Sequence, residues 1–155
     1  CTNVHIEVCK FYKSDAESGA GMTKCLKAIK SADIVNISAG GYNFDEAEYK
    51  EIDRLTNKGT RIVTAAGNDG YNLAETPYYP AGYKFMELPN MYVVGNGYSA
   101  SNRALSSNYK SRDMVWINSQ DTMAYNFMGK TINVRGTSSS AALYTHKLIK
   151  EMCND

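Results

Sequence analysis

Short apolar runs alternate with amphipathic helical stretches from Val4 to Ala66, and this restricts the chain to an α/β architecture built on a parallel sheet. Val4-His5-Ile6-Glu7-Val8-Cys9-Lys10-Phe11 alternates apolar and polar side chains and reads as a strand, with His5 on its polar side. After a turn at residues 14–19, Met22, Cys25, Leu26 and Ile29 fall at helical spacing, and that helix ends near Ser31. Residues 33–38 form a second strand, and Ala39-Gly40-Gly41 lets the chain turn sharply at its carboxyl end. Asn43 followed by Glu46 has capping-box spacing; the helix it opens carries Tyr49, Ile52 and Leu55 on one face and closes at Gly59. Residues 61–66 are a third strand, ending in Gly67-Asn68-Asp69-Gly70.

The second half is looser. Residues 78–83 read as a loop and residues 91–94 and 114–117 as strands, while a final helix from Ser138 carries Ala141, Thr145, Leu148, Ile149 and Met152 on one face. No internal repeat or linker divides the chain, so residues 1–155 are read as belonging to one domain. A 43% hydrophobic share is enough for a core, and a formal charge of +1 gives no reason to expect nucleic acid as a partner. No apolar run approaches the ~18 residues of a membrane span. Cys1, Cys9, Cys25 and Cys153 contain no CxxC pair, which argues against a zinc site; buried thiols or a single loose staple suit their spacing.

In a parallel sheet the functional loops lie at the carboxyl ends of the strands. One glycine-rich stretch, Gly95-Asn96-Gly97-Tyr98-Ser99-Ala100, matches a relaxed dinucleotide fingerprint. That fingerprint needs a helix to start there, and residues 101–109 have turn composition instead. A more informative stretch is Gly136-Thr137-Ser138-Ser139-Ser140-Ala141-Ala142, where an irregular segment passes into the last helix. Two readings of Ser138 follow: an N-cap, or a nucleophile whose hydroxyl sits where the helix N-terminus favours developing negative charge. His146 lies two turns further along that helix, too far along the axis to reach the Ser138 hydroxyl.

Three segments taken in order, Val35-Asn36-Ile37-Ser38-Ala39-Gly40-Gly41, Val63-Thr64-Ala65-Ala66-Gly67-Asn68-Asp69-Gly70 and residues 136–142, resemble the substrate-wall strand, oxyanion-asparagine loop and nucleophile helix of subtilisin-like serine proteases. Tyr79-Pro80-Ala81 and residues 103–107 are similar to that family's connecting segments. The resemblance implies a three-layer subtilisin-like fold and acyl transfer with Ser138 as nucleophile. The oxyanion would be held by the Ser138 N–H and the Asn68 side-chain amide. Ser38, Ala39 and Gly40 would form one substrate wall and add an extended peptide or protein substrate as a strand; Ala65, Ala66 and Gly67 would form the other. Small residues on both walls leave room for a large substrate side chain, and Asp69 at the rim would favour a basic one.

The family's aspartate and histidine elements are not in this sequence, and neither His5 nor His146 matches the histidine's position. In the family's strand order, 2-3-1-4-5-6-7, the aspartate-bearing first strand lies between the third and fourth, and this chain reads as beginning at the third. The expectation is therefore an incomplete fold, with an upstream fragment of the same protease as partner, supplying strand 1, the aspartate and the histidine. The rival expectation is a pseudoprotease, a non-catalytic scaffold that binds a peptide or protein in the old cleft. No cofactor is needed for the chemistry; the family's structural calcium sites use mostly segments that this sequence does not contain, so it gives calcium no support beyond the Ala81 and Tyr83 carbonyls near a weak cation site. Family resemblance also suits a secreted or extracytoplasmic setting.

Overall fold

The computed structural model describes residues 4–11 and 19–154; Cys1 and residues 14–18 of the expected turn lie outside them. Helix α1 (Gly19–Ala28) precedes strand β1 (Ile34–Ile37), helix α2 (Glu46–Asn57) and strand β2 (Arg61–Ala65). A 3-10 turn at Ala81–Met86 leads into β3 (Met91–Asn96) and β4 (Val115–Ile117). The hairpin β5 (Thr122–Tyr125) and β6 (Thr131–Val134) then delivers the chain to α3 (Thr137–Asn154).

Strands β1 to β4 lie side by side in chain order and all run parallel, with Ile37 opposite Thr64, Thr64 opposite Val93 and Val94 opposite Val115. Because successive strand residues face opposite sides, the sheet splits its apolar side chains between two cores. Ile37, Ile62 and Met91 join Met22 and Leu26 of α1 and Ile52 and Leu55 of α2 on one face. Val63, Ala65 and Val94 join Ala141, Tyr144 and Leu148 of α3 on the other. Fully burying a side chain such as Ile52 or Leu55 stabilises the fold by about 1.5–3 kcal/mol, so α2 is held by its face and not by propensity. The product is a helix–sheet–helix sandwich of three layers, with every parallel strand's carboxyl end on one rim.

Several expectations need correction. Residues 4–11 form no strand: Val4, Ile6 and Val8 are 49%, 75% and 89% exposed. Alternation alone does not make a strand; pairing with a second strand does, and among the described residues no strand pairs with residues 4–11. It is tethered instead by a Cys9–Cys25 disulfide to α1, with 5.9 Å between the Cα atoms, and Cys153 is disulfide-bonded too, so the reading as free buried thiols falls. Strand β1 pairs on one side only, with β2, which leaves its outer edge without a strand among the described residues. The α2 cap is Asp45 and not Asn43: its carboxylate accepts from the Ala47 and Glu48 N–H groups at 2.8 and 3.1 Å. Gly59 does follow the helix, in the left-handed region at φ +90°. After Gly97 no helix begins; the chain folds back through a bridge between Gly97 and Arg103.

Beside the cap, burial and then the charge of Asp45 raise the Glu48 carboxyl above its usual range. A carboxyl raised in the folded state binds its proton more tightly there than in the unfolded chain. Its contribution is thus fully present below the ordinary carboxylate value and is lost as pH rises through the folded value. Glu48→Gln, neutral throughout, is expected to melt at a higher temperature than wild type at pH 8 and at nearly the same temperature as wild type near pH 3, as differential scanning calorimetry would read.

Candidate active site

Ser138 is the second residue of α3 and does not cap it. Its hydroxyl crosses to another element and donates to the Ser38 carbonyl at 3.0 Å, while the Ser38 hydroxyl donates to the Ser138 carbonyl at 3.0 Å. This reciprocal pair fixes the first turn of α3 against the carboxyl end of β1. Asn36 orients Ser38 by donating from Nδ2 to its Oγ at 2.9 Å, and Thr145 on α3 donates to Asn36 Oδ1 at 3.1 Å. The turn contains no acidic side chain, so nothing within it offsets the positive end of the helix dipole at Ser138.

Thr137 performs the equivalent task for the β2 loop. Its N–H donates to Asn68 Oδ1 at 2.9 Å and its hydroxyl to the same oxygen at 3.2 Å, while the Gly67 N–H donates to Thr137 Oγ1 at 3.1 Å. Of the two ends of a carboxamide only the oxygen can accept from a backbone N–H, so the Thr137 N–H sets the orientation of Asn68. Its Nδ2 arm is left without a hydrogen bond among the described residues. The Ser138 N–H is one of the first-turn donors with no acceptor inside the helix. Gly136 makes the approach feasible: it sits at φ +106°, and a Cβ there would lie 3.1 Å from Asn68 Oδ1.

Sequence reasoning missed the residues that hold this loop still. Asn108 is fully buried; its Oδ1 accepts from the Asp69 and Tyr71 N–H groups at 3.1 and 2.8 Å, and its Nδ2 donates to the Ala66 carbonyl at 2.9 Å. One side chain therefore clamps both flanks of Asn68. On the far side of α3, the buried Ser140 hydroxyl donates to the Ile117 carbonyl at 2.7 Å, tying the helix start to the end of β4. The only sequence signal for Asn108 was its place in a polar, turn-like run. Asn108→Ala removes the partner of two backbone donors and a carbonyl at once, and is expected to cost more stability than the ~1–3 kcal/mol of a single stranded group, measurable by denaturant unfolding.

The two segments expected to form substrate walls flank a space that is not open. Ser38, Ala39 and Gly40 continue from β1, and Ala65, Ala66 and Gly67 end β2 and begin its loop. A Cβ built on Gly40 would come within 2.7 Å of Tyr78 Cε1, and one on Gly67 within 3.1 Å of Tyr78 Cδ1. The Tyr78 ring thus reaches from one wall to the other. Asp69 also differs from expectation, because its carboxylate accepts a hydrogen bond from the Tyr42 phenol. Burial and that carboxylate hold the Tyr42 hydroxyl above its ordinary range. The Ser138 hydroxyl pairs with Ser38 and with neither described histidine: His5 is exposed beside Glu7, and His146 is exposed on α3. Among the described residues no group of three or more His, Cys, Asp or Glu side chains is gathered to hold a metal, and Ala81 and Tyr83 lie buried in the 3-10 turn.

Residues 1–150 match the sequence profile described as the subtilase family. No curated protein matches the chain. Among solved structures, the prenylagaramide maturation protease PagA superposes with a TM-score of 0.67 at 23% identity, covering 84% of this chain and 47% of PagA. The self-cleaved protease domain of PatA superposes at 0.63 and 22% identity, covering 81% of this chain and 46% of that one. A mutant of the PatA protease domain gives 0.63 and 22%, with 80% and 44% covered. The chain therefore has the fold of part of these proteases and spans about half their length.

Proposed function

The chain belongs to the subtilase family, and on that ground we propose that it is the C-terminal part of a serine endopeptidase domain, with Ser138 as nucleophile and an upstream segment supplying the aspartate and histidine. The observation that carries this reading is the meeting of three distant segments at the start of α3: Ser138 on Ser38, and Thr137 on Asn68 and Gly67. A helix start that needed only a cap would not require either partner.

Catalysis then proceeds as follows. An extended peptide lies along residues 38–40 and hydrogen-bonds to that backbone as an added strand. The histidine takes the Ser138 proton, and Oγ attacks the scissile carbonyl carbon. To meet the histidine, the hydroxyl leaves the Ser38 carbonyl by a χ1 rotation between staggered wells, which frees that carbonyl for the substrate's N–H. The Ser138 N–H and Asn68 Nδ2 receive the oxyanion as the carbonyl's π pair moves onto oxygen. Collapse expels the amine, protonated by the histidine, and water releases the acyl group by the same steps. All of the groups are protein groups, so no cofactor enters the chemistry.

The upstream segment has a structural place as well as a chemical one. The outer edge of β1 and the exposed, alternating residues 4–11 are what a further parallel strand would cover. A fluorophosphonate probe tests the reading: with the upstream segment present it is expected to label Ser138, and Ser138→Ala to abolish labelling. No labelling of the completed protein would instead favour the non-catalytic scaffold.

A further inference from the structure

Tyr78, half-buried between the two segments, is held by its backbone and by its ring. Its carbonyl accepts from the Gly82 N–H at 2.7 Å, and its neighbour Tyr79 exchanges two backbone hydrogen bonds with Gly41, at 2.9 and 2.7 Å. The ring packs against the cluster of Ala66, Leu73, Ala81 and Val93, and meets Tyr42 edge-on with ring centres 5.4 Å apart. Tyr42 is in turn tied to Asp69. At Gly40 the ring's Cε1 and Cζ atoms lie 2.7 and 3.0 Å from where a Cβ would sit; at Gly67, Cδ1 and Cγ lie 3.1 Å from the corresponding point. Carbon atoms in contact prefer about 3.5–4.0 Å. A Cβ would also meet the Tyr79 carbonyl oxygen at Gly40 and the Asn108 amide nitrogen at Gly67, so the ring, that carbonyl and that amide together fill the space at this depth.

We propose that Tyr78 is the specificity-determining residue of this site and closes the primary side-chain pocket, so that the substrates are peptides with glycine or alanine before the scissile bond. The proposal rests on the proteolytic reading given above. A larger residue would have to displace the Tyr78 ring, together with its packing on Tyr42. A lysine or arginine would meet the same obstacle before reaching Asp69, whose carboxylate is already engaged. The expectation of a roomy pocket with a basic preference thus gives way to a shallow one.

The test uses the protein completed by its upstream segment and a peptide series that differs only at the residue before the cleaved bond: Gly, Ala, Val, Leu, Phe and Lys. Wild type is expected to favour Gly and Ala over Leu, Phe and Lys by about a hundredfold in kcat/KM. Tyr78→Ala should raise kcat/KM for Leu and Phe relative to Ala by about tenfold or more, whereas Tyr78→Phe should keep the wild-type order. A flat wild-type profile, or a preference for Phe or Lys, with Ser138 still labelled by fluorophosphonate, overturns the pocket assignment alone. Absence of both labelling and hydrolysis overturns the proteolytic reading together with it. The wild-type profile decides the matter even if Tyr78→Ala does not fold.

Discussion

Ser138→Ala is expected to lower kcat for peptide hydrolysis by about a million-fold in the protein completed by its upstream segment, the scale on which removal of a serine nucleophile acts. The loss is this large because no neighbouring group can take over. Ser139 makes no hydrogen bond to the β1 or β2 loops, and the Ser140 hydroxyl is committed to the Ile117 carbonyl at 2.7 Å. A residual rate above water remains, since the oxyanion donors and the substrate walls are untouched. Stability should change little. The substitution removes the half-buried hydroxyl's bond to Ser38, worth about 0.5–1.5 kcal/mol, and leaves the reverse bond from Ser38 to the Ser138 carbonyl in place. Ser139→Ala is the control, and should retain wild-type turnover. If Ser138→Ala kept activity within tenfold of wild type, another residue would have to be the nucleophile.

How much of this could be read from the residues depends on what each feature requires. Strands β2 and β3 were legible because a strand buried on both faces writes itself as a short apolar run between turns, as in Arg61-Ile62-Val63-Thr64-Ala65, and β1 because Ile34, Val35 and Ile37 keep the same apolar run around an exposed Asn36. The segment at residues 4–11 carries an equally good pattern and is not a strand among the described residues, because pairing is a property of two segments and only one can be inspected. The α2 cap was misplaced by two residues for a plainer reason. Asn43 and Asp45 are each followed three residues later by a glutamate, and the spacing cannot say which of them turns the chain. The hairpin of β5 and β6 left no signal, because Met123, Tyr125 and Ile132 are exposed and no buried face imposes a period.

Ser138 and Asn68 could be singled out from their order in the chain, but the residues that surround them could not. Tyr78 looks like an ordinary loop aromatic, and Asn108 like a turn residue. Their roles depend on which backbone atoms come near, at Gly40 and Gly67 for the first and at Ala66, Asp69 and Tyr71 for the second. Such contacts join residues tens of positions apart, and no local pattern encodes them. In the sequence Thr137 stands out only as one letter of a motif, yet it is the residue that determines which arm of the Asn68 carboxamide is left free.

That orientation underlies the second large effect. Asn68→Ala should lower kcat by about two to three powers of ten and leave KM nearly unchanged, because in the proposed mechanism the Nδ2 donor serves charge that exists only in the transition state. Asn68→Asp should do worse than Asn68→Ala. One carboxylate oxygen can still accept from Thr137, and the other would then face the developing oxyanion as a like charge. Thr137→Val removes the hydroxyl that donates to Asn68 and accepts from Gly67. The Thr137 N–H still holds Oδ1 at 2.9 Å, so the catalytic loss should be smaller, while stability falls by about 1–3 kcal/mol for the stranded Gly67 N–H. Thr137 acts through Asn68, so the double variant with Asn68→Ala should show the kcat of Asn68→Ala alone and the stability loss of both. Fully additive losses in kcat would mean that Thr137 contacts the reacting atoms itself, and that Asn68 is not its route to the oxyanion.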